Sequence, residues 1–318
     1  MRALHLPGFI PSLDALPAPS TRPPLPAPKK GQVLVEVKAV GANFFDILLV
    51  QGKYQRVCWD HRVFGAVQVG AYATHVLADT HSLFKIPGSL SFEEASGIFI
   101  TYPTSYAALV LRANVQPGET VLVHAGAGGV GLAAIQIAKL LGATVIGTAS
   151  SPEKLAIMRA QGADHVLDYK ADDWVARVRE ITRKRGVDVV IDPVGLIDAS
   201  LKIAAWNARL VVVGFARFPP GGSEKIATNR VLLKNVSVTG LFWGAYRMAE
   251  PEQVPKVWNS LLPWLGEGKL KPVVFERVFQ GLDEVKEALT VLGSRGSYGK
   301  VVVSLASEER GDEVRARL

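Results

Sequence analysis

Between Glu119 and Lys154 the chain alternates in a way that few folds accommodate. An apolar, β-rich run, Thr120 to Val123, gives way to a glycine-dense turn, Gly126-Ala127-Gly128-Gly129-Val130-Gly131. Helix-patterned residues follow from Leu132 to Leu141, Gly142 stops them, and a second β-rich run occupies Thr144 to Thr148. Strand, glycine turn, helix and strand in this order make the unit that binds a dinucleotide. Gly126 permits the tight turn, Gly128 lets backbone approach a pyrophosphate, and Gly131 lets the helix pack closely on the strand. The helix start then offers unpaired N–H groups and the positive end of its dipole to the phosphates. A bare G-x-G-x-x-G is weak evidence, because S-adenosylmethionine sites and structural turns also use it. Here the flanking strands supply the required context.

After this unit the alternation continues. The pattern predicts helices over Ser151–Gln161, Asp173–Arg185 and Asp198–Ala205, and strands over His165–Leu167, Val187–Ile191, Arg209–Gly214 and Val231–Leu241. Strands separated by helices imply a doubly wound parallel sheet with right-handed crossovers. Before it, Gln32–Val40 alternates strictly as one strand, and Ser91 to Glu94 reads as a capping box that starts a helix. Pro103–Arg112 reads as another helix. Beyond it come a helix over Glu252–Leu265 and short strands around a helix at Leu282–Leu292. The expected organisation is therefore discontinuous: residues 104–265 form the nucleotide-binding domain, and residues 1–103 with 266–318 form a second, β-rich domain.

Bulk properties limit the functional classes. A chain of 318 residues with 48% hydrophobic and 20% charged residues suits two globular domains. No apolar run reaches membrane-spanning length, and the first residues lack a signal-peptide core. A cytoplasmic location is the default, with a mitochondrial one left open. The single cysteine, Cys58, excludes an internal disulfide and an all-cysteine metal site. The net charge of +7 is interleaved with acidic residues, which suits an anionic ligand better than a nucleic-acid stripe.

Several segments together resemble one family. They are VEVKAVGANFFD (Val35 to Asp46), Gly52-Lys53-Tyr54, RVFGA (Arg62 to Ala66), Gly70-Ala71-Tyr72-Ala73, ASGIFITYPTSYA (Ala95 to Ala107), Val123 to Lys139, DVVIDPVG (Asp188 to Gly195) and Gly299-Lys300-Val301-Val302. The chain resembles the zinc-free, zeta-crystallin-like quinone oxidoreductase branch of the medium-chain dehydrogenase/reductase superfamily. The resemblance implies a GroES-like β-barrel domain beside a Rossmann domain, with the active site in the cleft between them. It implies hydride transfer from a nicotinamide to quinones or α,β-unsaturated carbonyls. Zinc-dependent relatives place a cysteine where this chain has Asn43, a histidine next along the motif and a His-Glu pair downstream. None of these is present here, nor is a four-cysteine cluster, so no metal is expected.

The resemblance assigns candidate residues. Asn43, Asp46 and Tyr54 match positions around the nicotinamide and substrate, with Tyr54 the best hydrogen-bond or proton donor to a substrate oxygen. Gly126, Ala127, Gly128, Gly129, Val130 and Gly131 form the pyrophosphate turn. An NAD site wants an acidic residue at the end of the second strand to accept from the ribose 2′-hydroxyl. Here Ser150, Ser151 and Lys154 stand there and suit a 2′-phosphate, with Glu153 the contrary feature, so NADPH is the expected cofactor. Tyr169 falls where the family packs a tyrosine near the adenosine phosphate. Gly214 and Phe215 fall where backbone meets the nicotinamide amide. Phe242 and Trp243 are candidate pocket residues, or core and dimer-contact aromatics. The family dimerises through its last Rossmann strand, for which Asn235–Gly240 is suited.

One departure stands out. Between Tyr54 and Arg62 only Gln55 to His61 remain, where the family carries a longer segment that supplies barrel strands and one wall of the cleft. The chain is either a truncated product or a genuine shortened variant. A second reading follows: a catalytically impaired chain that keeps NADPH as a ligand and uses its basic surface for RNA.

Overall fold

The computed structural model describes residues 1–4, 10, 12–23, 25–43, 62–67, 70–170, 173–218 and 224–305. The chain forms two compact units, Ile100–Leu270 and Met1–Phe99 with Lys271–Leu318. It passes between them at 99/100 and 270/271, where the sequence reading has 103/104 and 265/266.

The Ile100–Leu270 unit is built on six strands: β1 (Thr120–Val123), β2 (Thr144–Ala149), β3 (His165–Asp168), β4 (Val187–Asp192), β5 (Ala204–Val212) and β6 (Ser237–Gly240). They lie side by side in the order β3-β2-β1-β4-β5-β6, and every neighbouring pair is parallel. This is the doubly wound order, whose direction of winding reverses between β1 and β4. A parallel sheet must be covered on both faces. Accordingly Val121, Leu122, Val123, Val189, Val190 and Ile191 are fully buried.

The connecting helices are α1 (Gly129–Leu140), α2 (Pro152–Ala160), α3 (Trp174–Ile181), α4 (Ile197–Ser200) and α5 (Thr228–Leu233). After β6 come α6 (Trp243–Ala249) and α7 (Gln253–Gly266). Helix α1 is buried from Gly131 to Ala138, which explains why its sequence carries small and aliphatic residues on every face. A bidentate Arg209–Glu119 pair, with nitrogen–oxygen distances of 2.6 and 2.8 Å, ties β5 to the turn before β1. Burial opposes the Glu119 charge, but the hydrogen bonds from Arg209 and from the Gln116 backbone outweigh it and hold the carboxyl below its usual range.

Two sequence expectations fail in this unit. Val231–Leu241 is not one strand: its first residues complete α5, and the strand begins only at Ser237. The break is built by Asn235 in left-handed conformation (φ 54°) and by Lys234, whose ammonium donates to the carbonyls of Leu201, Lys202 and Ala204. Asp198–Ala205 is not one helix either. Helix α4 stops at Ser200 and β5 starts at Ala204, because Ala204 already pairs with Val187. The register between β4 and β5 then shifts before Val189 meets Arg209. The extra residues form a bulge with Asn207 at φ 61° and Trp206 exposed.

The other unit is β-rich, with short strands. Gln32–Glu36 pairs antiparallel with His75–Asp79, and Val63–Gly65 pairs antiparallel with Leu83–Lys85. Ala39–Gly41 pairs antiparallel with Val302–Ser304, which runs parallel to Phe279–Gln280. The expected Gln32–Val40 strand is therefore two strands with different partners. They part at Val37 and Lys38, where Val37 donates to Thr74 and the Lys38 carbonyl accepts from Leu305. The capping box forms as read: Ser91 Oγ accepts from the Glu94 N–H, and Glu94 Oε2 accepts from the Ser91 N–H. Val40, Ala42, Phe279, Val301, Val303 and Leu305 share one core cluster in this unit.

Candidate active site

The carboxyl ends of the parallel strands carry the loops that ligands meet in such sheets. After β1 the chain passes His124, turns through Ala125 to Ala127 and enters α1 with Gly128 as its N-cap. No side chain caps that terminus, so the donors of its first turn are left for backbone or ligand. The glycines divide the labour differently from one another. A Cβ at Gly131 would lie 2.4 Å from the Ala125 carbonyl oxygen and 2.6 Å from the Gly126 Cα. A Cβ at Gly126 would lie 2.5 Å from the Met158 sulfur. Among the described residues, a Cβ at Gly128 would meet only the Ala125 oxygen, at 3.4 Å. Gly131 is thus required by the protein's own backbone packing, whereas at Gly126 the close neighbour is the flexible Met158 side chain. Gly128 is under no such constraint, and its bare face is the cradle expected for a pyrophosphate. Ala127 is buried, while Gly128, Gly129 and Val130 are half-buried. The Val130 carbonyl is fixed by Ser105 Oγ at 2.8 Å.

Beneath this loop lies a polar knot that the sequence reading missed. His124 is fully buried, with Nε2 2.8 Å from Ser200 Oγ and Nδ1 3.1 Å from Thr148 Oγ1. Ser200 Oγ donates its own hydrogen to the Leu196 carbonyl, so Nε2 is the donor to Ser200 and Nδ1 accepts from Thr148. The neutral imidazole therefore ties the end of β1 to β2 and α4. Burial holds its pKa below the ordinary value, against the pull of the Asp192 carboxylate. Asp192, at the end of β4, is itself buried and accepts from the N–H groups of Val194 and Gly195 at 2.7 and 3.0 Å. The only sequence signal for this knot was a polar residue inside an apolar strand.

At the end of β2, Ser150 and Ser151 are half-buried, and Ser151 caps α2 by accepting from the Lys154 N–H at 3.4 Å. A hydroxyl that accepts there still has a hydrogen to donate. The Lys154 ammonium is held below the usual lysine range, first by burial and further by the nearby Lys170 cation, with Glu153 acting in the opposite sense. Lys170 follows Tyr169 at the end of β3, another residue the sequence reading passed over. Tyr169 is 42% exposed, and its N–H donates to the Ala149 carbonyl. Two cations and two hydroxyls at adjoining strand ends form a donor set suited to a phosphate dianion.

The loop after β5 is laced to the loop after β4. Val213 and Gly214 donate to the Asp192 carbonyl, and Ala216 donates to that of Pro193. This lacing holds Phe215 outward, 56% exposed. Phe242 is 76% exposed, whereas Trp243 is buried and stacks on Tyr246 at 5.0 Å. In the β-rich unit, Asn43 Nδ2 donates to the Gly41 carbonyl at 3.1 Å, and its Oδ1 accepts from Lys300 Nζ at 2.6 Å. Asp46 and Tyr54 lie outside the described residues.

Comparison with known proteins agrees with this geometry. The family profile described as Zinc-binding dehydrogenase matches residues 129–262. The Quinone oxidoreductase-like protein 2 homolog of Nematostella vectensis is 37% identical over 302 residues, covering 86% of this chain and 81% of that protein. The quinone oxidoreductase of Thermus thermophilus, solved also in complex with NADPH, superposes with a TM-score of 0.80 at 32% identity, covering 92% of this chain and 98% of that one. That of Escherichia coli, complexed with NADPH, gives a TM-score of 0.83 at 25% identity, covering 96% and 100%. The chain belongs to the quinone oxidoreductase branch of the medium-chain dehydrogenase/reductase superfamily.

Two details of this member follow. The 302-residue match to the Nematostella relative spans only 86% of a 318-residue chain, so that relative holds residues inside the match that have no counterpart here. The stretch matched by the zinc-named profile has no cysteine and a single histidine, His165. Among the described residues, no group of three or more His, Cys, Asp or Glu is placed to hold a metal ion.

Two predictions test the loop. Gly131→Ala lowers stability by about 2 kcal/mol or more, the cost of forcing an atom into a packed contact, and lowers the melting temperature accordingly. Gly128→Ala melts close to the parent but binds NADPH about tenfold or more weakly, because the added methyl holds the pyrophosphate off the loop by enough to weaken a hydrogen bond to a charged group. Equal effects of the two on melting would contradict the division of roles. Because the folded pKa of His124 is depressed, its contribution to stability is full above the ordinary imidazole value near pH ~6.5 and is lost as pH falls below it. Melting curves between pH 8 and 5 should therefore show a steeper acid loss for the parent than for His124→Gln; parallel curves would refute it.

Proposed function

We propose that this chain is an NADPH-dependent reductase that passes hydride to quinones or α,β-unsaturated carbonyls without a metal. The observation that carries this reading is the donor set at the ends of β2 and β3, joined through the same sheet to the uncovered Gly128 cradle. A 2′-hydroxyl would call for a carboxylate at the end of β2, whereas Ser150 and Ser151 stand there with Lys154 and Lys170 beside them. The bound nicotinamide supplies the hydride. The residues of this chain bind and orient. The α1 N-terminus would hold the pyrophosphate and Gly214 and Phe215 the nicotinamide amide, while Asn43, Asp46 and Tyr54 would serve the reacting end, with Tyr54 as donor to the substrate oxygen. An exposed Phe242 suits an apolar acceptor, while Trp243 supports it from inside the unit.

A second reading has one observation in its favour, the residues this chain lacks relative to its relatives. In it the chain binds NADPH without turning it over. The assay that separates the two follows NADPH and NADH oxidation with 1,4-naphthoquinone and an enone. The proposed function predicts oxidation with NADPH preferred, and Lys154→Glu reduces that preference about tenfold or more. Binding of NADPH with no oxidation by either acceptor favours the second reading, and absence of NADPH binding refutes both.

We also propose that two copies join through β6. It ends the sheet, and among the described residues it pairs only with β5. Leu232, Leu233 and Phe242 around it are more than two-thirds exposed, and an exposed strand edge flanked by apolar residues favours pairing with another copy. Sedimentation equilibrium should give twice the chain mass, and a single-chain mass across the micromolar range would rule this out.

A further inference from the structure

The last turn of α3 gathers cations that no acid in the surrounding fold neutralises. Arg179 Nη2 donates to the Lys202 carbonyl at 3.2 Å, and Lys234 Nζ reaches the same oxygen at 3.3 Å. Two positive groups thus meet on one neutral acceptor. Burial, and then the Arg179 cation, push the Lys234 ammonium below the usual lysine range. Beside them Arg179, Arg183 and Lys184, all exposed, line an open cavity of about 780 Å³ with Ala176 and Glu180. Glu180 is taken by Arg177, and Arg185 next in the chain is taken by Asp188. Among the described residues, none of Arg179, Arg183, Lys184 and Lys234 has a carboxylate at ion-pair distance. A helix C-terminus favours cations by itself. Here, however, the carbonyls of Val178, Arg179 and Glu180 already accept from the N–H groups of Thr182, Lys184 and Arg183. Arg183 and Lys184 stand at φ 49° and 65°, a left-handed region where glycine and asparagine are at ease and longer side chains are uncommon. The turn therefore keeps two long cations where its backbone favours neither.

We propose that the cavity at the end of α3 is a second anion site, for a small soluble ligand carrying two or more phosphate charges. The chain runs from this turn through Gly186 into β4, so the cavity lies at the amino edge of the parallel sheet, opposite the edge that carries the Gly128 cradle. Guanidinium forks take phosphate oxygens in pairs, and a lysine adds a point charge. Cations that line a cavity, rather than run in a stripe, fit a compact anion better than an extended polymer. Such an anion would also relieve the repulsion between Arg179 and Lys234. The inference uses none of the residues of the proposed function and stands apart from it.

The test is calorimetric titration of the full chain with inorganic tripolyphosphate, with NADPH in excess to fill the strand-end site. At about 0.15 M salt, where distant charges are screened, the parent should bind one tripolyphosphate per chain. Arg183→Asn combined with Lys184→Asn suits the left-handed backbone. This variant should melt no lower than the parent, yet bind tripolyphosphate at least about tenfold more weakly, the worth of a lost hydrogen bond between charged groups. Glu180→Gln takes the acid off the rim and should bind about twofold or more tightly, a gain that misfolding cannot imitate. No binding by the parent, equal binding by the double variant, or unchanged or weaker binding by Glu180→Gln would overturn the proposal. A double variant that melts well below the parent would mean that these cations serve the fold, and would overturn it too. Co-sedimentation with vesicles of phosphatidylcholine and phosphatidylinositol 4-phosphate, with no heat from tripolyphosphate, would give the patch to a lipid headgroup and overturn the free-anion assignment. A parent that binds no NADPH would count against the proposed function, while the comparison of parent and variants still decides this site.

Discussion

The structure of the nucleotide-binding unit depends on one close approach. Where Gly131 passes Ala125 and Gly126, no room exists for a single methyl group, and this contact seats α1 on the end of β1. Only with α1 there does its uncapped N-terminus point its donors at the carboxyl edge of the sheet. The contact carries a strain of its own. Ala125 sits at φ 46°, a left-handed conformation that costs a residue with a Cβ on the order of 1 kcal/mol or more. The knot formed by His124, Thr148 and Ser200 lies immediately before it and holds the chain in place across three elements.

The charges of the unit divide by what holds them. Glu119 and Asp188 have arginine partners within the protein, and their carboxyls are held below the usual range despite burial. At Lys154 burial and the Lys170 cation both act against the charge, and Glu153 acts in the opposite sense. A site that is electrostatically uncomfortable for a cation by itself becomes favourable when a dianion enters. That asymmetry, more than the glycine motif, separates a phosphorylated ribose from an unmodified one.

Most of the nucleotide-binding unit was legible in the sequence because its signals are local. The glycine spacing, the Pro152 helix start capped by Ser151, and the buried apolar strands each fall within a few residues of one another. The errors arose where a partner distant in sequence decided the outcome. Val231–Leu241 reads as a strand by residue type, but Lys234 reaching back to Leu201 and Ala204 ends a helix inside it. Ala204 reads as helical, but Val187 claims it for the sheet. The site residues follow the same rule. Gly128 and Lys154 announce themselves in the motif and its flank, whereas Lys170, Asp192 and Lys300 acquire meaning only from what they face. Lys300 stands 257 positions from Asn43, and no periodicity could connect them.

The central claim is that the ends of β1, β2 and β3 together form a site for a 2′-phosphorylated dinucleotide. Calorimetric titration of the full chain with NADPH and with NADH, at fixed salt, tests it most directly, since it needs neither an acceptor nor turnover. The account predicts one NADPH per chain, bound at least about tenfold more tightly than NADH, the worth of one charge-assisted hydrogen bond to the extra phosphate. Equal affinity for the two, or no binding of either, would contradict it.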